Sequence, residues 1–202
     1  MKTIGKIENI APDERVYSVR FMGKYAYFVT FRQVDPLFTA DLSNPEKPKL
    51  IGALKIPGFS NYLFPYGEGR LLGLGQDADE KTGATKGIKL SIFNTENPAD
   101  LKEETKLVLD SNYSSALYNH KDTLVDYKRN LIGLPVWGNN GCEYRIFTLK
   151  KDKLTEIKRI KVEDKFELAR GIYINDEFYL ITNSSISVYN IESFERIAKL
   201  KY

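Results

Sequence analysis

Arg15-Val16-Tyr17-Ser18-Val19-Arg20-Phe21, then Met22-Gly23-Lys24, then Tyr25-Ala26-Tyr27-Phe28-Val29-Thr30-Phe31 reads as two strands around a tight turn. The first stretch alternates, so every second side chain falls on the same face. Gly23 sits where the chain reverses. The returning stretch is apolar on both faces, and a strand of that kind must be covered on both sides.

The same pattern recurs along the chain, and recurrence at a fixed phase identifies repeat architectures. Tyr62 to Tyr66 and Leu71 to Leu74 flank the turn Gly67-Glu68-Gly69. Leu124 to Tyr127 and Leu131 to Leu134 flank Lys128-Arg129-Asn130. Gly171 to Ile174 and Phe178 to Ile181 flank Asn175-Asp176-Glu177. A second hairpin follows each pair: Leu37–Leu42 with Leu50–Ile56, Ile88–Phe93 with Glu104–Leu109, Glu143–Leu149 with Thr155–Val162, and Ser185–Ile191 with Arg196–Tyr202. Helical periodicity is nearly absent. Short strands with turn signals every eight to twelve residues indicate a sandwich, a barrel or a propeller.

Two-sided apolar strands favour the propeller, in which sheets stack face to face. The last strand of each unit differs: Lys158, Arg159 and Lys161 interrupt Ile157, Ile160 and Val162, and Lys199 and Lys201 interrupt the Ile197–Leu200 run. Lysines of this kind discourage edge-to-edge pairing. The expectation is an all-β single domain over 1–202, a β-propeller of four-stranded antiparallel blades. The blades fall at 15–57, 58–110, 111–164 and 165–202. Extra length is assigned to loops at Gln76–Gly87 and Ser111–Asp122. Residues 1–14 hold an orphan outer strand, because Ile4-Gly5-Lys6-Ile7-Glu8-Asn9-Ile10 resembles Leu50-Ile51-Gly52-Ala53-Leu54-Lys55-Ile56. That orphan points to a segment of a larger propeller, or to a homodimer or other partner supplying the missing half.

Composition narrows the function classes. The net charge is +3, from 30 basic and 27 acidic residues that are spread along the chain, which gives no nucleic-acid signature. One cysteine, Cys142, precludes an internal disulfide and reads as a small core residue. No stretch approaches a transmembrane helix, and Met1 to Lys6 lacks the apolar run of a signal peptide.

Several stretches resemble a known family. They are Arg15 to Phe21, Val29 to Phe38, Asp41-Leu42-Ser43-Asn44-Pro45, Leu54 to Leu63, Leu71 to Gly75 and Lys86 to Phe93. Together they are similar to secreted bacterial and archaeal proteins with a C-terminal β-propeller distantly related to WD40 repeats. The match is dense over Arg15 to Leu109 and thinner beyond. The resemblance implies a propeller fold and an extracellular or cell-envelope location, and it implies no defined activity.

Four sets of residues are candidates for function. Asp77, Asp79 and Glu80 put three acids before Gly83, a pattern that could offer hard oxygens to calcium; the bland alternative is a solvated turn. Arg20, Arg32 and Asp35 could grip an anion bidentately, or could simply fix a loop. Trp137, with Gly138-Asn139-Asn140-Gly141, could contact a glycan or peptide. His120 is the sole histidine and could act as a general base if an acid orients it. No nucleophile elbow or phosphate-cradling loop accompanies it. The leading expectation is a non-enzymatic binding scaffold for a protein, peptide or glycan. The alternatives are a hydrolase or lyase using His120, and a structural spacer.

Overall fold

In a computed structural model, the described residues are 2–12, 14–31, 35–139, 141–163 and 168–202; of Phe31 and Asp35 only the backbone is described. Sixteen strands form four antiparallel sheets, each a meander of four strands in chain order. Sheet 1 holds β1 (Arg15–Met22), β2 (Tyr25–Phe31), β3 (Asp35–Asp41) and β4 (Lys49–Ile56). Sheet 2 holds β5 (Phe59–Pro65), β6 (Arg70–Ala78), β7 (Thr85–Asn94) and β8 (Lys102–Val108). Sheet 3 holds β9 (Leu124–Asp126), β10 (Leu131–Gly138), β11 (Gly141–Lys150) and β12 (Lys153–Lys161). Sheet 4 holds β13 (Arg170–Ile174), β14 (Glu177–Ile181), β15 (Ser185–Asn190) and β16 (Arg196–Lys201). Two short 3-10 turns, Ser115–Leu117 and His120–Asp122, precede β9. The chain divides into two compact units, Met1–Leu109 with sheets 1 and 2, and Asp110–Tyr202 with sheets 3 and 4.

The two-sided reading of β2 holds in detail. Tyr27 and Val29 join Leu37, Leu63, Leu71, Phe93 and Leu101 in the core between sheets 1 and 2. Ala26 and Phe28 point the other way, with Phe38 and Ala40, and are covered by Ile7, Ile10 and Ala11. In the second unit, Tyr144, Ile146, Phe178 and Leu180 anchor a core that includes Cys142 and has Trp137 packed against it. Each buried large apolar side chain contributes about 1.5–3 kcal/mol before ordering costs.

Turn chemistry explains why the hairpins repeat. Asn44 and Asn97 each precede a proline, and each accepts a backbone N–H two residues on, from Glu46 at 3.1 Å and Ala99 at 3.2 Å. These Asx turns close the third-to-fourth strand connections of sheets 1 and 2. All four of those ladders also carry a bulge, at Thr39/Ala40, Ile92/Phe93, Ile146/Phe147 and Val188/Tyr189. Asn175, at φ 54°, reverses the β13–β14 hairpin, a left-handed position that asparagine tolerates.

The stretch expected as an orphan outer strand within 1–14 forms no ladder with the described strands over residues 2–9, and its apolar side chains lie on the face of sheet 1. One expectation needs correction: Gln76–Gly87 is not a long loop. β6 and β7 run on through it, pairing as far as Ala78 with Thr85, because Asp79 closes the turn for them.

Gly52 of β4 lies against the Asn97-Pro98 turn of the next sheet. A Cβ there would sit 2.7 Å from the Pro98 carbonyl oxygen and 3.1 Å from that of Ala99. Both obstacles are backbone and cannot swing away. Gly52→Val is therefore expected to cost about 1–3 kcal/mol, the usual range for overpacking. Urea denaturation measures it; an unchanged midpoint would show that β4 does not rest on that turn.

Candidate functional site

In the second unit, the chain entering sheet 3 runs beside the end of β10. The Trp137 N–H donates to the Tyr113 carbonyl at 3.0 Å, and the Ser111 hydroxyl donates to the Trp137 carbonyl. This isolated bridge brings three rings together. Tyr113 meets Trp137 edge to face, with centroids 5.3 Å apart and planes at 70°. Tyr118 lies 6.2 Å from Tyr113. Tyr118 is 71% exposed and Tyr113 49%. Trp137 is half-buried because its inner edge packs on the core. Edge-to-face and tilted ring pairs of this kind hold one another in fixed orientations.

On the opposite face of the β10–β11 ladder, where Glu143 and Arg145 point away from Trp137 and Cys142, lies a small polar pocket of about 180 Å³, lined by Asp110, Gly138, Asn139, Gly141, Glu143, Arg145 and Arg159. Arg145 is its floor and is only 3% exposed. Its guanidinium contacts Asp110 at 2.5 Å, Glu143 at 3.2 Å and Glu156 at 3.7 Å. Arg159 stands directly opposite Arg145 in the β11–β12 ladder. Like charges in that position repel. The carboxylates between them reverse the sign: Arg159 reaches Glu143 at 3.7 Å and Asp110 at 3.9 Å, and it also bonds Glu156. Three carboxylates face two guanidiniums, so the cluster carries one net negative charge. Hydrogen bonding from Arg145 holds the Asp110 carboxyl below its ordinary range, and Glu156 raises Arg159.

The acidic turn of the first unit is built differently. Asp79 accepts the backbone N–H groups of Lys81 and Thr82, both at 3.0 Å, and pairs with Lys86 at 3.0 Å. Lys86, then those two amides, hold its carboxyl well below the usual carboxylate range. Asp77 is nearly buried and faces Lys106 at 3.5 Å, while Glu80 is exposed. The three acids line a pocket of about 390 Å³ together with Lys81, Lys86 and Lys106. Asp77 and Asp79 thus each face a lysine. Among the described residues, no group of three or more His, Cys, Asp or Glu side chains is gathered to hold a metal ion.

The other expected residues are dispersed. Arg20 is half-buried and donates to the Leu63 carbonyl at 2.8 Å, tying β1 to β5. Arg32 and the side chain of Asp35 lie outside the described residues. His120 is exposed on the second 3-10 turn. The nearby Asp122 carboxylate is occupied by the Ser115 hydroxyl at 2.5 Å and by Asn119 at 2.8 Å. Two buried cations escaped sequence reasoning. Arg145 is one; Lys89 of β7, 1% exposed, is the other, and it donates to the Pro57 carbonyl at 2.5 Å with Glu103 at 3.9 Å. Each is a single cation inside an apolar run, and that was the available signal.

Four antiparallel four-stranded sheets, joined in chain order with inner strands buried on both faces, define a set of propeller blades. The sequence model of the β-propeller domain family matches residues 1–194, and the chain belongs to that family. It is 41% identical over 201 residues to an uncharacterized protein of Archaeoglobus fulgidus and 32% identical over 202 residues to one of Methanocaldococcus jannaschii. All of this chain is covered in both cases, yet it spans 30% of the length of each relative. Among solved structures, apo AztD of Citrobacter koseri is similar at TM-score 0.57 and 12% identity, covering 92% of this chain and 46% of that one. A functionally unknown protein of Desulfotomaculum acetoxidans is similar at TM-score 0.55 and 12% identity, covering 93% and 56%. At that identity the likeness is one of fold.

The depressed Asp110 value fixes how acid acts on the cluster. Its ion pairs are complete above the ordinary carboxylate pKa of about 3.9 and are lost as pH falls below that through the lowered value. Asp110→Asn is expected to leave stability nearly flat between neutral pH and that range, and to reduce its decline below it. Arg145→Met removes the cation from three carboxylates. The expected cost is at most about 3–5 kcal/mol, the range for breaking a buried pair, because Asp110 can rehydrate. Thermal melts across pH check both; identical acid slopes for wild type and Asp110→Asn would refute the assignment.

Proposed function

We propose that this domain is a non-enzymatic binding scaffold that receives a peptide or glycan segment on the Tyr113–Tyr118–Trp137 surface. The observation that carries the reading is the set of exposed, mutually braced rings itself. Rings of this kind offer large contact area at low entropic cost. Extracytoplasmic placement enters this reading only through the resemblance of residues within 15–109 to secreted proteins.

The single tryptophan supplies the assay, since Trp137 emission reports occupancy of its own site. Peptide and glycan libraries are screened first, and bound hits are titrated by fluorescence. Tyr118→Ala is expected to weaken binding about 10-fold or more, equivalent to about 1.4 kcal/mol, with an unchanged melting temperature. Hits that bind wild type and Tyr118→Ala equally by fluorescence, and Trp137→Ala equally by calorimetry, would remove this surface from consideration.

A further inference from the structure

Residues 4–10 occupy, on sheet 1, the place that β4 occupies on sheet 2. A Cβ on Gly5 would overlap the Pro45 carbonyl, just as one on Gly52 would overlap that of Pro98. Pro45 and Pro98 follow the two asparagines that close the matching turns of successive sheets. Two residues after each glycine comes an apolar anchor. Leu54 packs on the core between sheets 1 and 2, and Ile7 packs on Ala26, Phe28, Phe38 and Ala40. The difference is the backbone. β4 is hydrogen-bonded along β3, whereas residues 4–9 make no ladder.

The face of sheet 1 beneath this stretch is only half covered. Val19 pairs across the ladder with Phe28 and Phe21 with Ala26, so all four belong to one face. Phe28 and Ala26 are buried, yet Val19 is 46% exposed and Phe21 68%. The opposite face of the same sheet has no such gap. There, β1 meets β5 through the bonds of Ser18 to the Ser60 carbonyl and Arg20 to the Leu63 carbonyl, and Met22 and Tyr25 pack on the shared core. Sheet 1 covers sheet 2 with four strands. On its own outer face it has only a stretch in the fourth-strand position.

We propose that residues 4–10 are the fourth strand of a further antiparallel sheet, whose first three strands come from the same polypeptide outside residues 1–202 and cover Val19 and Phe21. Three strands are required because every sheet here has four in chain order, and the fourth is already seated. A sheet from a second copy is a poor donor, since each of the four already possesses its own fourth strand. The relatives contain the length for such a sheet, because this chain spans only 30% of each. Exposed strand-like backbone beside an exposed apolar face is the pairing template that proteins ordinarily keep covered.

Amide hydrogen exchange with mass spectrometry tests the proposal. In the 202-residue chain, the amides of residues 4–10 are expected to exchange at close to the unprotected rate. In the full-length Archaeoglobus fulgidus relative, the aligned stretch is expected to exchange about 100-fold more slowly or slower, as in a paired strand. Rapid exchange of that stretch in the full-length relative would overturn the assignment. So would protection of residues 4–10 in this chain that rises with concentration alongside a dimer in sedimentation, because a second copy would then be the occupant.

Discussion

A strand that is apolar on both faces cannot lie at a surface, and this constraint organises each unit. β2 satisfies it by giving Tyr27 and Val29 to one layer and Ala26 and Phe28 to another. The inner strands of sheets 2 and 3 are in the same position: Leu71, Leu72 and Leu74 are fully buried, as are Ile132, Leu134 and Val136. A sheet of this kind cannot be stable alone. It requires a neighbour on each side, and the fourth strands, studded with lysine, are suited to face water.

Ionic groups inside these layers are tolerated because they are fully partnered. Lys89 and Arg145 each sit on the third strand of a sheet, where a bare charge would cost several kcal/mol. Lys89 meets a backbone carbonyl and a carboxylate. Arg145 meets three carboxylates. Replacing a cation together with its carboxylates by apolar residues of similar volume is the tolerated change, whereas removing one side alone strands the other. Arg145 lies beneath a polar pocket rather than in dry core.

Much of the architecture was legible in the sequence, because strand period and turn residues are local signals. Glycine at 23 and asparagine at 175 mark their hairpins, and the alternation around them fixes the faces. The site was much less legible. Trp137 stood out as the sole tryptophan, but Tyr113 and Tyr118 gave no sign of joining it. Their meeting depends on an isolated bridge across 24 residues of chain, from Tyr113 to Trp137. Arg145 and Arg159 face each other only because of ladder register, and a bulge at Ile146/Phe147 lies in that ladder, which no periodicity reveals. The local role of Asp79 was also not legible among three acids in four residues: the first need of a hairpin turn is an acceptor for its own amides, and Asp79 meets it.

The seating of Gly52 on the Asn97-Pro98 turn has an evolutionary consequence. The joint involves one outer strand and one turn of the adjoining sheet, and nothing more distant. A gene could therefore gain or lose a whole sheet by duplication or deletion and regenerate the identical joint on either side of the splice. Growth by such quanta would leave joints of this kind, as at Gly52 and Gly5, self-similar, so the number of sheets could change with no adjustment elsewhere.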